Sequence, residues 1–357
     1  MRGLVQLSAL ILAFLQPLVA GLAVPHYFQP ARFTRRDLSV AQVQQELGAT
    51  VSNGSTIFGP EDPRFPNATE RYSTHDIPDI EVVVVPATEA DIPIIYRVFA
   101  INRGHARTYS VGTFKGLMID LGALLNIELQ PDPKTAGLVA NKNFANAPVY
   151  LLILMQATGS CDCVGMMDPG LGGGHGRHEG LYGMISDNIV QLNVVLANGT
   201  AIRVNETNHP DLLWDMKGAG HNFGIVTRFE LKVWPREVEL WHYHNCVWTE
   251  DKLEALFEES NKLHKDGNTP ANMALNFNSF ALNTSISEDR AVIFWSFAYR
   301  GPADEAEEIL AGFNAIEPVY DVMGDVSYPE ISEVQTTAID TPTCVGNEPV
   351  TSMSETA

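Results

Sequence analysis

Residues 159–176 read Gly159-Ser160-Cys161-Asp162-Cys163-Val164-Gly165-Met166-Met167-Asp168-Pro169-Gly170-Leu171-Gly172-Gly173-Gly174-His175-Gly176. So many glycines in so short a run imply a backbone that turns repeatedly, or that approaches another group with no Cβ atoms in the way. A nucleotide is the natural object of such an approach. No Lys-Ser or Lys-Thr pair follows, which excludes the Walker phosphate loop. Cys161, Cys163, His175 and His178 are residue types of a zinc site, but the single residue between the cysteines is not zinc-ligand spacing, and no metal is expected.

Two further glycine-marked segments accompany this one. Asn102-Arg103-Gly104-His105-Ala106-Arg107 is a tight loop with guanidiniums on both sides of a histidine. Its backbone N–H groups can form a nest for a pyrophosphate, although a solvated surface turn reads the same way. Gly218-Ala219-Gly220-His221-Asn222-Phe223-Gly224-Ile225-Val226-Thr227 has glycine spacing like a nicotinamide-cofactor fingerprint, which needs a strand before it and a helix after it. Here the order is reversed, which argues against a Rossmann site.

Outward from these segments, the β-branched run at residues 81–85 predicts a strand buried on both faces. A helix should follow, capped by Asp91, because that places Pro93 in the first turn. Strands are expected at 117–121 and 189–196, the latter turning at Asn198-Gly199 into a returning strand at 202–204. A short helix at 210–217 closed by Gly218 then leads to a strand at 225–233. Farther on, strands near 240–248, 273–281, 291–299 and Val319 alternate with helices after Thr249 and at 303–313, the pattern of an antiparallel sheet with helices on one face. Residues 24–75 read as a polar leader with one helical stretch at 39–47, and from Thr336 onward the periodicity vanishes, as in a disordered tail. The fold class is therefore α+β, with a first domain at 76–235 and a second at 236–335.

With 357 residues and 45% hydrophobic content, two domains are the natural expectation. A net charge of −20 opposes nucleic acid and anionic bilayers as partners. Residues 1–23 combine Arg2, an apolar run and small residues at a cleavage position, the pattern of a removed secretion signal. A secreted protein with no membrane contact after processing is the expectation, and sequons at Asn53, Asn67, Asn198, Asn205 and Asn283 fit a glycoprotein. Four cysteines are too few for a disulfide scaffold. Cys161 and Cys163 stand too close for an unstrained mutual bridge, so each is expected to be free or committed elsewhere.

Taken in order, the three segments resemble the flavin-binding (PCMH-type) domain of the vanillyl-alcohol-oxidase and berberine-bridge-like families. The resemblance is carried by Gly-Ser-Cys-Asp-Cys-Val-Gly, Leu-Gly-Gly-Gly-His-Gly, Gly180-Leu181-Tyr182-Gly183, Asp187-Asn188 and Asn208-His209-Pro210-Asp211-Leu212-Leu213-Trp214. It implies FAD between two domains, tethered covalently at His105, at Cys161, or at both, with Cys163 a small buried bystander. It also implies cofactor contacts from Arg103, Gly104, His105, Ala106, Arg107, Ser160, Cys161, Val164, Gly165, Gly224, Ile225 and Val226. Asp187 and Asn188 would position the nucleotide or cap the following strand. The implied reaction oxidises an alcohol or similar carbon centre of a sugar or secondary metabolite, with hydride passing to flavin N5 and dioxygen as acceptor. The catalytic base is unassigned; His242, Tyr243, His244 and Tyr299 are polar side chains on expected strands. Residues 91–101 leave room for little beyond a helix, so one strand of the family's first sheet is expected to be missing. The chain also stops short of the family's C-terminal segment. The competing readings are an inactive, shortened member of the same ancestry and a secreted glycoprotein whose glycines serve turns alone.

Overall fold

The computed structural model describes residues 38–71, 77–95, 99–101, 114–124, 127–129, 135–139 and 154–155, and residues 157–344 except 237, 239, 268, 275–276 and 342. Helix α1 (Val40–Leu47) begins at Ser39, whose side chain accepts from the Gln42 N–H and satisfies one of the first-turn donors. It leads to β1 (Thr56–Phe58) and the short α2 (Phe65–Thr69). The expected leader thus belongs in part to the domain, because β1 pairs antiparallel with β2 (Asp79–Val85). Next in the chain are β3 (Phe99–Ile101) and β4 (Lys115–Asp120), and the four strands form a sheet in the order β1-β2-β4-β3. The strand expected to be missing is therefore present: β3 lies parallel to β4, pairing Phe99 with Met118.

Between β2 and β3 lies a 3-10 helix, Glu89–Ile94, rather than a full α-helix. Its cap is Thr88, and Asp91 sits at the third position of a capping box instead of at the cap. The Asp91 carboxylate accepts from the backbone of Ser52 and Thr88 and from the hydroxyls of Ser55 and Thr88. Burial alone would raise its pKa, but those bonds prevail and hold it at about 2.

The second sheet is wholly antiparallel. It contains β5 (Ile127–Leu129), β6 (Thr135–Val139), β8 (Ile189–Leu196), β9 (Ala201–Asn205) and β10 (Gly224–Lys232), in the order β5-β6-β10-β8-β9, while β7 (Leu154–Met155) pairs separately with β11 (Trp234–Pro235). Two short helices, α3 (Met167–Gly170) and α4 (Glu179–Tyr182), precede β8. Then α5 (Pro210–Ala219) carries Leu212, Leu213 and Met216 into a core with Leu192, Val194 and Phe229; it runs through Gly218 rather than stopping before it. Strand β8 is the wall between two cores. Val194 faces this one, while Val195 joins Val82, Val84, Ile92 and Ile119 of the first sheet.

In the second domain, β12 (Leu240–Thr249), β13 (Phe277–Leu282), β14 (Ala291–Tyr299) and β15 (Tyr320–Ser327) form an antiparallel sheet in the order β13-β14-β12-β15. Helices α6 (Leu253–Leu263) and α7 (Ala303–Asn314) cover one face. There Trp248, Trp295, Phe297, Leu256, Leu310 and Phe313 form a core, each large side chain contributing about 2–3 kcal/mol by its burial. The last helix, α8 (Ile331–Val334), leads into residues 335–344. The expected disordered tail is corrected there: Gln335 and Thr337 are buried, Thr337 O accepts from Asp162 N, and Cys344 is disulfide-bonded. Residues 345–357 lie outside the described residues.

Candidate flavin site

The 159–176 segment and the 218–226 segment come together. Gly220 N donates to Leu171 O at 3.0 Å, His221 Nε2 contacts Asp168 O at 2.8 Å, and Phe223 packs on the core that contains Met167 and Leu171. Some of the glycines are required by the protein itself. A Cβ at Gly176 would lie 2.0 Å from Thr158 O, and one at Gly224 would lie 2.6 Å from Val195 O, where β10 starts against β8. Gly224, Ile225 and Val226 pair in register with Leu196, Val195 and Val194. The third segment, with Arg103, Gly104, His105, Ala106 and Arg107, lies outside the described residues.

The run 160–163 is fastened on both sides of one thiol. Ser160 O accepts from Arg177 Nη2 at 2.9 Å and from Thr337 Oγ1 at 2.8 Å. Asp162 gives its N–H to Thr337 O at 2.9 Å and takes a bond from Ser332 Oγ at 2.9 Å. Cys163 is bonded to Cys344, 181 residues away. Its expected role as a buried bystander is corrected: it is half-buried and cross-links the loop to the segment after the second sheet. Between these anchors Cys161 is half-buried with a free thiol. Burial pushes that thiol above its ordinary pKa, the Arg177 cation draws it down, and Asp162 adds to the rise. Ser160 Oγ is buried with no hydrogen-bond partner among the described residues. Val164 and Gly165 continue the turn, with Val164 N on Cys161 O and Asp168 N on Gly165 O.

Asp187 and Asn188 are spent within the protein. Asn188 Nδ2 donates to Tyr182 O and Met184 O, its Oδ1 accepts from Trp234 Nε1, and Asp187 Oδ2 closes a turn on Met184 N. The other residues imagined around zinc have other roles: His175 pairs with Glu179 at 2.7 Å, and His178 packs among aromatic rings. Among the described residues no cluster of His, Cys, Asp or Glu is arranged to hold a metal ion, and no helix is long and apolar enough to cross a membrane.

The second domain meets this loop with the face of its sheet opposite the helices. His178 lies 4.7 Å from Tyr328 and 5.3 Å from Trp241, ring to ring. Burial, with the cations Arg300, Arg177 and Arg236 around it, holds His178 at about 3 and therefore neutral. Tyr243 packs on the same cluster as Trp241. His242 and His244 point to the helix side instead, where Glu307 Oε1 contacts both, His242 also meets Asp325, and His244 meets Asp321. Tyr299 donates to Glu305 within the helix-side core. Of the four polar strand residues, only Tyr243 shares the inward face. Sequence reasoning missed Arg177, whose partners Ser332, Gln335 and Thr337 are 155 to 160 positions away, and the His242–Glu307–His244 bridge, which spans 63 and 65 positions.

These features fit a dinucleotide: two glycine-rich turns in contact, a free thiol presented between anchored neighbours, an unpartnered buried hydroxyl beside it, and a second domain closing over them. An α+β flavin-binding domain capped by an antiparallel sheet is the class of protein they define. Residues 74–205 match the FAD binding domain family. The chain is 46% identical to FAD-linked oxidoreductase OXR2 of Pyricularia oryzae over 93% of its own length and 67% of the relative's. Among solved structures, a Physcomitrella patens BBE-like protein superposes with a TM-score of 0.68 at 21% identity, covering 84% of this chain and 66% of that one. Glucooligosaccharide oxidase from Acremonium strictum, whose FAD is described as 6-S-cysteinyl and 8α-N1-histidyl, superposes at 0.65 with 18% identity, covering 86% and 65%.

The chain belongs to the FAD-linked oxidoreductases, binds FAD, and spans about two thirds of the length of these relatives. That membership overturns the cofactor-free glycoprotein reading.

Proposed function

We infer that the chain holds FAD between its two domains and oxidises an alcohol or similar carbon centre of a sugar or secondary metabolite, with dioxygen as the acceptor. The observation that carries this reading is the anchored run 160–163, which holds Cys161 at the junction of the two domains, in the same glycine-rich segment that meets the 218–226 turn. FAD, when bound, supplies the two-electron acceptor. The chain's own residues bind and shield it: Ser160, Val164 and Gly165 form the turn, the 218–226 segment meets the same glycine-rich run through Gly220 and His221, and Trp241 and Tyr328 close the inner face of the second sheet against water. Cys161 tethers the flavin, and His105 is the candidate for a second tether. Carbohydrate and oligosaccharide oxidases among the structural neighbours support a small hydroxyl substrate. A secreted protein remains part of this reading, supported by the Cys163–Cys344 bond, which belongs to an oxidising compartment.

The test is the visible spectrum of the full chain before and after acid precipitation. Yellow colour should stay with the pellet, and Cys161→Ala should lower the retained fraction. Colourless protein after expression with ample riboflavin defeats the reading. Unchanged retention in the Cys161→Ala and His105→Ala double variant defeats the tether assignment.

A further inference from the structure

Arg177 is among the most buried cations in the described protein, 4% exposed, and among the described residues it forms no ion pair with a carboxylate. Its guanidinium is held by Gln335 Oε1 at 2.8 Å, Ser160 O at 2.9 Å, Thr337 Oγ1 at 3.0 Å and Ser332 Oγ at 3.4 Å, and by the Tyr328 side chain. A buried charge needs compensating charge as well as hydrogen bonds. The acidic groups that favour its charged form are Tyr328, Cys161 and Asp162. Tyr328 also hydrogen-bonds the guanidinium, and Cys161 and Asp162 follow directly on the Ser160 carbonyl that Arg177 grips. The thiol of Cys161, the residue next to the carbonyl that Arg177 grips, is therefore one of the groups whose ionised form the guanidinium favours.

We propose that Arg177 is a positioning residue for Cys161: it fixes the loop through Ser160 and holds its positive charge beside the residue that bears the thiol. The assignment rests on Cys161 as the flavin's tether only for its purpose. Ionisation and orientation of the thiol are properties of the chain without flavin. Two opposing charges set the balance, because Arg177 favours the thiolate while Asp162 disfavours it. Removing either therefore shifts the reactivity of Cys161 in opposite directions, a signature that mere loosening of the loop does not give.

The experiment is the pH dependence of iodoacetamide labelling at Cys161 in the full chain prepared under flavin limitation, followed by site-resolved mass spectrometry. Cys246 serves as an internal slow control, since burial, with Asp321 and Glu307 nearby, pushes its thiol up to about 12. Cys163 and Cys344 are tied up in their disulfide.

Arg177→Gln, which keeps an amide donor but no charge, should move the labelling profile to higher pH and slow labelling at neutral pH about tenfold. Arg177→Lys should recover most of the rate, and Asp162→Asn, which keeps an acceptor for Ser332, should accelerate it. Superimposable profiles for wild type and a folded Arg177→Gln protein overturn the proposal. Should Arg177→Gln fail to fold, Asp162→Asn decides, and a slowed or unchanged rate there overturns it equally. Acid-stable flavin separates the two readings: shifted profiles with no flavin in the wild-type pellet sink the tether and leave Arg177's role standing, whereas retained flavin with unshifted profiles does the reverse.

Discussion

Replacing both Cys163 and Cys344 by Ser removes a cross-link between positions 181 residues apart while leaving no new thiol beside Cys161. In the chain-entropy picture, closing a loop of that size withdraws about 5 kcal/mol of conformational freedom from the unfolded ensemble at room temperature. Against a total stability of about 5–15 kcal/mol for a folded protein, that is a third or more of the margin. Native contacts that survive the change do not make up the difference, because Arg177, Ser332 and Thr337 hold the same two segments together only once the chain has folded. Guanidinium unfolding of the double variant, followed by tryptophan fluorescence at fixed protein concentration, should show a loss of about 3–5 kcal/mol. The wild type under strong reductant should show the same loss. A loss below about 1 kcal/mol in both arms would refute the entropic account.

His178→Phe should flatten the protein's acid sensitivity. Because burial holds His178 at about 3 in the folded state against an ordinary 6.5, its neutral form stabilises the fold above about pH 6.5, and that contribution is lost as the pH falls toward 3. Melting temperatures from pH 7 to pH 4 should decline less steeply in the variant, and parallel declines would count against the assignment. Glu307→Gln removes the carboxylate shared by His242 and His244 but leaves each its other carboxylate, Asp325 and Asp321, and should cost about 1.5 kcal/mol in urea unfolding; a change under about 0.5 kcal/mol would show the bridge to be incidental.

What the sequence made legible was local. The strand at 189–196 is found at those bounds, and the Asn198-Gly199 turn and returning strand follow from residues a few positions apart; Gly199 takes the positive φ of 83° that the turn needs. The β14 strand was equally readable, since Val292–Tyr299 alternate between the helix-side core and the opposite face. Elements defined by distant partners were not. Strand β1 is three residues long and exists through its pairing with Val83, Val84 and Val85; β3 is likewise a strand only beside β4. Asp91 looked like a helix cap because Pro93 follows it, but bonds from Ser52 and Ser55 draw it into a tertiary role and leave the cap to Thr88. The glycine-rich motifs gave away the kind of ligand. The support behind them was hidden, since nothing near Arg177 or Cys163 in sequence signals Ser332, Gln335, Thr337 or Cys344.

The position of that support bears on how the two domains depend on each other. A boundary near Pro235 separates two hydrophobic cores, yet the contacts crossing it converge on the cysteine-bearing loop. Arg177 reaches Ser332, Gln335 and Thr337; His178 packs on Trp241 and Tyr328; a Cβ at Gly180 would lie 2.5 Å from Ala271 O; and Cys163 is bonded to Cys344. A first domain standing alone would lose Gln335, Ser332 and Thr337 from around the guanidinium and open it to water, leaving the Ser160 carbonyl as its one remaining hold on the loop among the hydrogen bonds named above. The second sheet therefore closes over the cofactor site and also completes the fold of the loop that the site is built on, which couples assembly of the flavin site to docking of the second domain.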